Sequence, residues 1–500
     1  MQLRILALAS AALIIGPTQA LPAVRSLQTV QAPAGAAAGI DVVVREQMSR
    51  RAIPGTQVAV VRGGQVVYEK AFGVADLETG TSVTRDTMFT LNSSTKSFTG
   101  VAVMQLVQDG KVALGAPIGR YLPDLPPTWA SVTVAQLLSH LSGLPDVLIQ
   151  PKGQGTGSLV GDGGEASAWT AVQAMPFQSP TGTRWSYNQT NYVLLGKMID
   201  RVSGMPFTRF MQERQFAPAV MRHAAFGEAR DVMPGRTRTY RYQGGAVGGG
   251  IHTLEHAWDE FSPFMRTAGG LNASAGDVAR WLIALQNGAL LSPTNRQAMW
   301  TPGHFNDGRP GPWAMGWPVS DHGGHSVAAG IGGRRSAFFV YPRDDLAVVV
   351  LTNLAGANPE EWMDEVAGQF LPDLLAANGG SLPLPVKRLR AVLIEEGYRH
   401  ADTAYRRLLR NPDFHIVEED LNKWGGMLLD AGEAAHAIAV FGLNARLHPD
   451  SANALDSLAM GYEAANDAPR AIANYAASLK LDSGNTHAVA RLSELRGAAK

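Results

Sequence analysis

The chain has 500 residues, with 43 Lys and Arg balanced by 43 Asp and Glu, so nothing in its charge favours nucleic acid as a partner. It has no cysteine, which excludes disulfides, thiolate metal sites and a cysteine nucleophile. This length exceeds one ordinary domain, and we expect a large domain and a smaller one.

The first twenty residues have the pattern of a secretory signal peptide. A short positive start ends at Arg4, an apolar core follows over residues 5–15, and Ala20 closes a small-residue cleavage site. The core is too short to span a bilayer stably. We expect cleavage after Ala20, a periplasmic or secreted protein, and no stable membrane span afterwards. An uncleaved membrane anchor is the alternative.

The next segments alternate between strand and helix signals. Residues 21–39, rich in Ala, Pro and Gln, predict a linker, and 40–51 predict an amphipathic helix. Apolar residues at 57–61 and 65–68, joined across Gly63 and Gly64, predict a β-hairpin. Helical patterns dominate from 98 to about 221, and 336–341 and 346–351 predict two more strands.

This order predicts an α+β domain. Strands at both ends with helices between them imply one antiparallel sheet closed by distant segments, with an inserted helical lobe beside it. The crevice between sheet and lobe is where a site is expected.

The carboxy-terminal residues 385–500 predict a separate helical domain with an internal repeat of 34 residues. Equivalent positions in the two copies are Trp424/Leu458, Leu428/Tyr462, Ala437/Ala471, Ile438/Ile472 and Phe441/Tyr475. The period and positions resemble the tetratricopeptide repeat. Two copies cannot bury a solenoid core alone, so we expect flanking helices to complete it. Such a tail can dock a protein partner, and an ordinary helical bundle is the alternative.

The stretch around Ser93 carries the clearest chemical signal. Ser93 and Lys96 stand three residues apart at the start of an apolar run with helical spacing. On a helix they share one face, where free N–H groups of the first turn favour negative charge. The ammonium can stabilise an alkoxide or shuttle its proton, as a serine acyl-transferring enzyme requires. A capping serine followed by a solvated lysine is the alternative for this motif alone.

Three further motifs follow in an order that resembles a known family. They are Leu-Ser-His140-Leu-Ser-Gly-Leu-Pro, a Pro-Thr-Gly turn leading to Tyr187 just ahead of a helix, and Gly-His325-Ser shortly before the strand 336–341. With Ser93-x-x-Lys96 they resemble the serine β-lactamases and penicillin-binding-protein-like hydrolases. The resemblance is greatest to the group that contains class C β-lactamases, esterases of that fold and D-amino-acid-specific peptidases, and it covers residues 40–375.

The resemblance implies a role for each matching residue. Ser93 would be the acylated nucleophile, Lys96 its proton-sharing partner and Tyr187 the general base. A phenol can act as a base only if a nearby cation favours phenolate, and Lys96 would supply that charge. His325 would orient the substrate's carboxylate or carbonyl or help hold the tyrosine. Backbone N–H groups of Ser93 and of the strand after His325 would form the oxyanion hole.

The sequence departs from the family pattern at two positions. Gln189 replaces the asparagine that normally holds substrate, and Val327 stands where the third motif has glycine. His322 offers an alternative register for that motif, and Ser186 offers one for the tyrosine motif. His140 is interpreted as a structural histidine.

Together these observations predict a secreted serine hydrolase with a Ser93 acyl-enzyme. Its substrate would be a small ester, a D-amino-acid peptide or a β-lactam, with no metal and no other cofactor required. The alternative is a catalytically idle domain that binds a ligand and docks partners through its tail.

Overall fold

The computed structural model describes residues 32–148, 164–243, 253–258, 261–377, 382, 384–410, 414–430 and 432–498. The predicted signal peptide, 1–20, and residues 21–31 of the predicted linker lie outside these ranges. Within them, no helix combines the length and apolarity needed to cross a bilayer.

Strands from distant parts of the chain form one antiparallel sheet. The strands are β1 (Gly55–Arg62), β2 (Gln65–Asp76), β3 (Thr81–Ser82), β4 (Phe89–Thr90), β5 (Ala224–Phe226), β6 (Tyr240–Tyr242), β7 (Leu254–His256), β8 (Leu271–Ala273), β9 (Val319–His322), β10 (His325–Gly332), β11 (Ser336–Tyr341) and β12 (Leu346–Thr352). Seven of the described strands pair in the order β3-β2-β1-β12-β11-β10-β9. The β1 residue Val58 lies opposite Val350 of β12. The predicted closure of the sheet by distant segments is confirmed.

Helices cover both faces of this sheet and make up the lobe and the tail. They are α1 (Ala34–Arg51), α2 (Thr95–Gln108), α3 (Val134–Leu138), α4 (Gly164–Gln173), α5 (Gln189–Ser203), α6 (Phe207–Met211), α7 (Ala275–Gln286), α8 (Pro293–Met299), α9 (Met363–Ala367), α10 (Pro372–Ala377), α11 (Leu384–Glu396), α12 (Ala401–Leu408), α13 (Glu418–Asp430), α14 (Ala434–Leu447), α15 (Ala452–Ala464), α16 (Ala468–Leu481) and α17 (Thr486–Ala498). The predicted α+β architecture is confirmed.

Alternation along the strands gives the sheet two separate cores. Successive side chains of a strand point to opposite faces. On β10, Ala328 joins the core that contains α2, α5 and α7. Its neighbours Val327 and Ala329 join the core that contains α1 and α9. Any side chain on β10 therefore has a fixed face, and this decides which residues can reach a site on α2.

Helix α2 runs through the middle of the first core. Phe98, Val101 and Met104 are fully buried, as expected for a helix that is apolar on more than one side. A Cβ at Gly100 would lie 2.2 Å from the Met315 carbonyl oxygen, so glycine permits a close backbone approach here. This contact fixes the start of α2, which carries the Ser93 motif, against the backbone at Met315.

Helix α1 begins earlier than the sequence pattern predicts. The composition predicts a linker as far as residue 39, but the helix starts at Ala34. Alanine has the highest helix propensity, and Ala36 packs into the second core. Burial of the Ala-rich segment therefore extends the helix beyond the amphipathic pattern from residue 40.

The tail consists of helix pairs with the predicted period. Helices α13 and α14 are followed 34 residues later by α15 and α16, which have the same order and nearly the same lengths. Trp424 and Phe441 lie in one tail core, and Tyr475 lies in a second core with Ala488 of α17. The final helix covers the second repeat, as a pair of repeats requires.

Candidate active site

A short 3₁₀ turn, Asn92–Ser94, presents the candidate nucleophile at the start of α2. Ser93 is half-buried, whereas Asn92 and Ser94 are buried. Asn92 has a φ of 48°, in the left-handed region that few residues other than glycine adopt. The Ser94 Oγ lies 3.1 Å from the Ser336 Oγ of β11. The turn is fixed to the sheet and leaves the Ser93 hydroxyl accessible.

Lys96 lies beneath Ser93 and is 1% exposed. Its Nζ donates to the Ala268 carbonyl oxygen at 2.8 Å and lies 3.4 Å from the Ser93 Oγ. Burial lowers the pKa of Lys96, and this effect is opposed by Tyr187 and Asp146. An amine with a lowered pKa is more readily available as a proton acceptor near neutral pH.

Tyr187 completes a group of three with Ser93 and Lys96. It stands in the loop before α5, as predicted, and its side chain interacts with Lys96, whose pKa it acts to raise. The Lys96 Nζ lies 4.8 Å from the centroid of the Tyr187 ring. The structure therefore brings together the three residues that the motifs pointed to, although they are far apart in sequence.

Asp146 is a site residue that none of the sequence motifs indicated. It is 7% exposed, and its carboxylate accepts from the backbone N–H groups of Leu148 at 3.0 Å and Gln189 at 3.3 Å. Burial raises the pKa of Asp146, and these two hydrogen bonds and the charge on Lys96 oppose the rise. The signal was available, because Asp146 directly follows the Leu-Pro that closes the His140 motif.

Gln189 occupies the position predicted to bind substrate. It is the first residue of α5 and is 9% exposed. The side chain of the preceding Asn188 caps the helix by accepting from the Asn191 N–H at 3.3 Å. Together with the contact to Asp146, this cap fixes the backbone of Gln189, and its substrate-binding role stays a prediction.

His140 is fully buried behind the aromatic residues of the site. Its Nδ1 accepts from the Asn188 backbone N–H at 3.1 Å, so the neutral ring carries its proton on Nε2. Burial, together with the charge on Lys96, lowers the pKa of His140 well below its ordinary value. This geometry agrees with the interpretation of His140 as a structural residue that positions the loop carrying Tyr187.

The structure does not bring His325 to this site, contrary to the expectation for the third motif. His325 begins β10 and shares a sheet face with Val327, which packs into the core of α1 and α9. Its Nδ1 lies 3.0 Å from Asp344 and its Nε2 lies 3.1 Å from Asp373. The hydrogen bond to Asp344 is the main cause that raises the pKa of His325.

The part of β10 beside Ser93 is its opposite end. A Cβ at Gly332 would lie 2.0 Å from the Leu91 carbonyl oxygen and 2.8 Å from the Ser94 nitrogen. His325 is seven residues earlier on the same extended strand, about 23 Å away. The alternative, His322, pairs with His325 and lies on the same face. The glycine that approaches the Ser93 turn is therefore Gly332, whereas Val327 packs into the core on the other face of the sheet.

A family model described as Beta-lactamase matches residues 40–368. The chain belongs to the beta-lactamase family. Esterase EstB from Burkholderia gladioli is 28% identical to it over 363 residues, which is 64% of this chain and 91% of EstB. Protein flp from Staphylococcus aureus strain MW2 is 24% identical over 327 residues, 63% of this chain and 62% of flp. The chain thus spans about 62% of the length of that relative.

Two solved structures share the fold of this beta-lactamase-family chain. The octameric penicillin-binding protein homologue from Pyrococcus abyssi has a TM-score of 0.55 at 24% identity, covering 71% of this chain and 81% of that protein. EstCE1, a hydrolase with promiscuous acyltransferase activity, has a TM-score of 0.55 at 20% identity, covering 67% and 98%. The family and its esterase relative support a serine hydrolase in general, and the two structures show the fold alone.

Aromatic rings line one side of the site in this family member. Trp313 lies 5.6 Å from Tyr187 and 6.0 Å from Trp185, measured between ring centroids. Both tryptophans are half-buried. Their rings give the opening beside Tyr187 an apolar wall, which suits the uncharged part of a substrate.

Proposed function

We propose that the chain is a carboxylesterase that acts through an acyl-enzyme on Ser93. The observation that carries this proposal is the position of the Lys96 Nζ, 3.4 Å from the Ser93 Oγ and 4.8 Å from the centroid of the Tyr187 ring. A hydroxyl is a weak nucleophile unless a neighbouring base accepts its proton. Lys96 and Tyr187 are placed to do so.

The reaction proceeds in two steps. The Ser93 Oγ attacks the ester carbonyl carbon while its proton passes to the Lys96–Tyr187 pair, and the alcohol takes up that proton as the C–O bond breaks. Water then hydrolyses the acyl-serine by the same route in reverse. Backbone N–H groups of the Ser93 turn and of the adjacent end of β10 stabilise the oxyanion.

A neutral ester is favoured over the other two substrate classes. On the part of β10 beside the Ser93 turn, alternation directs Ala328, Gly330 and Gly332 toward this side of the sheet, and none carries a charge. A D-peptide or β-lactam presents a carboxylate that a cation on this strand would bind. The similarity to EstB supports an ester, and the apolar wall of Trp185 and Trp313 supports an apolar acyl group.

The test is intact-mass spectrometry and steady-state turnover with p-nitrophenyl esters, penicillin and a D-Ala-D-Ala peptide. We expect ester turnover and a transient acyl adduct on Ser93. Ser93→Ala should remove the Ser93 adduct and lower ester turnover at least about 10²-fold, as loss of the main nucleophile requires, with an unchanged melting temperature. The matched control is Ser186→Ala, which removes the hydroxyl beside Tyr187 and should retain turnover.

Each other outcome has a defined meaning. A stable penicillin or peptide adduct with slow ester turnover would replace the esterase proposal with one of the other two activities. Absence of any adduct and of turnover would favour the idle binding domain instead.

We further propose that the protein is exported, because residues 1–20 have the signal-peptide pattern. Amino-terminal sequencing of protein recovered from the periplasm should begin at Leu21. An intact Met1 in membrane fractions would indicate the uncleaved anchor.

A further inference from the structure

A second serine–histidine–aspartate arrangement lies at the edge of the sheet, outside the Ser93 site. Ser320 and His322 stand two residues apart on β9, so their side chains share one face. The Ser320 Oγ lies 2.9 Å from the His322 Nε2. The His322 Nδ1 lies 2.7 Å from the Asp364 carboxylate of α9. These distances are the hydrogen bonds of a nucleophile, its base and a residue that orients the base.

Burial fixes the base in the required tautomer. Asp364 is fully buried and also accepts from the Tyr341 hydroxyl. Its carboxylate accepts a hydrogen bond from the His322 Nδ1–H, which leaves the Nε2 lone pair facing Ser320. The His322 ring is also held edge-on against Phe339, with centroids 5.7 Å apart. The imidazole therefore has little freedom to turn away from the serine.

Ser320, at the other end of this row of hydrogen bonds, is open to solvent. Ser320 is exposed, the His322 side chain is 18% exposed, and Asp364 is 0% exposed. Strand β9 ends the sheet order of the described strands. A reagent can therefore approach the hydroxyl from outside the sheet while the carboxylate stays shielded from water.

The arrangement is independent of Lys96. Ser320 lies opposite Val327 on β10, and directly opposed residues share a face of the sheet. Val327 packs into the core of α1 and α9, whereas Ser93 lies in the turn that leads into α2, the helix of the other core. The two serines thus lie on opposite sides of the sheet, each with its own base.

We propose that Ser320 is a second acylation site, for small esters and phosphonates with good leaving groups. The Oγ forms a bond to the carbonyl carbon, its proton moves to the His322 Nε2, and the C–O bond to a phenolate breaks as the phenolate takes that proton. Water then attacks the acyl-serine in the same way. Since Ser320 stands on an open strand edge and not in a cleft, the leaving group itself must be a weak base.

The test uses a fluorophosphonate probe on full-length protein that carries Ser93→Ala. The Oγ–P bond forms, the P–F bond breaks, and fluoride leaves while His322 takes the proton. Peptide mapping should find one adduct, on Ser320, and Ser93→Ala/Ser320→Ala should carry none. The matched control is Ser326→Ala on β10, which should leave labelling unchanged. Absence of an adduct on folded Ser93→Ala protein would overturn the proposal.

The test of His322 and Asp364 must distinguish a loss of base function from a loss of folding. His322→Gln and Asp364→Asn should each lower the rate of Ser320 labelling at least tenfold in the Ser93→Ala background. In a Ser320→Ala background the same changes should leave Ser93 labelling unchanged. Equal labelling of Ser320 with and without His322 would overturn the proposal. Labelling of Ser93 in the otherwise unchanged chain reports separately on the esterase proposal.

Discussion

At the scale of single residues, Lys96 is a group whose burial serves the proposed reaction but costs free energy of folding. A fully buried ammonium loses its hydration, and its pKa is lowered as a result. The hydrogen bond to the Ala268 carbonyl oxygen offsets only part of that cost. The residue is therefore expected to be retained for chemistry and not for folding.

Replacing Lys96 should separate these two properties. Lys96→Met removes the proton acceptor and should lower kcat by about 10²- to 10⁴-fold, the usual effect of losing a general base. The apolar side chain of similar length should leave the melting temperature unchanged or raise it, because a buried charge is removed. Ester kinetics and thermal unfolding measure the two effects.

The control is Lys197→Met on α5, an exposed lysine whose Nζ lies 4.8 Å from the Trp169 ring centroid. It should leave kcat unchanged. A large loss of melting temperature in Lys96→Met would contradict the expectation, because Lys96 would then be a structural residue.

The buried carboxyl group of Glu360 should make the free energy of unfolding depend on pH. Its Oε2 is buried without a hydrogen-bond partner among the described residues, and burial raises its pKa to about 7. The folded state therefore holds a proton that the unfolded state releases near pH 4.5. Stability should fall as pH rises from 4.5 to 7, by up to about 3 kcal/mol.

Urea unfolding at pH 5 and pH 8 measures this loss. Glu360→Gln should raise the free energy of unfolding at pH 8 and remove most of the difference. The neighbouring Glu361→Gln should not, since Glu361 is paired with Arg51 at 2.8 Å. An unchanged pH dependence in Glu360→Gln would show that another group titrates.

At the scale of elements, strand β10 decides what the site contains. Its far end approaches the Ser93 turn so closely that only glycine fits at position 332. Its start carries His325, which contacts Asp344 and Asp373 on the other face. At one end of β10 the backbone of Gly332 contacts the site. At the other end the side chain of His325 contacts Asp344 in the turn between β11 and β12.

Gly332→Ala tests this arrangement. A methyl group 2.0 Å from the Leu91 carbonyl oxygen must displace the Ser93 turn. We expect kcat/KM to fall at least tenfold, with a destabilisation of about 1–3 kcal/mol from overpacking. Gly115→Ala, where a Cβ meets nothing within 4 Å, is the matched control and should leave both unchanged. Normal kinetics in Gly332→Ala would show that the turn tolerates the displacement.

At the scale of the whole molecule, the tail has its own hydrophobic cores. The residues of these cores, from Leu382 to Leu492, do not belong to either core of the sheet. Between the hydrolase domain and the tail lies a cavity of about 330 Å³. It is lined by Gln47, Arg50, Arg51, Glu361, Trp362, Glu365, Leu382, Arg390, Leu393, Gly397, Tyr398, Trp424, Met427, Leu428, Glu433 and His436. A cleft of this size interrupts the packing between the two parts, so we expect their contact to contribute little to the stability of the domain.

Deletion of residues 382–500 should therefore spare the chemistry. We expect kcat/KM to remain within about twofold, as for changes at an exposed surface. Ester kinetics and a single cooperative unfolding transition of the truncated protein check this. Insoluble or inactive protein would place the tail in the core of the hydrolase and weaken the expectation that it serves to dock a partner.

The amino-acid sequence by itself determined the local features of this protein. Helical spacing placed Ser93 and Lys96 at the start of α2, alternation located the strands, and the 34-residue period located the tail helices. These features depend on neighbours within a few turns or residues, where propensity and pattern act directly. For the same reason, a motif that spans only a few residues led to Tyr187.

The tertiary structure alone decided which of these residues meet. His325 matched a motif, yet pairing of β10 with β9 and β11 places it on the opposite face from Ser93. The position of Asp146 beside Lys96 and the hydrogen bonds that join Ser320, His322 and Asp364 depend on contacts between elements far apart in sequence. A shift of one residue in strand register moves every side chain of the strand to the opposite face of the sheet. The register is set by packing across the whole sheet, so a short motif cannot show which face its side chains lie on.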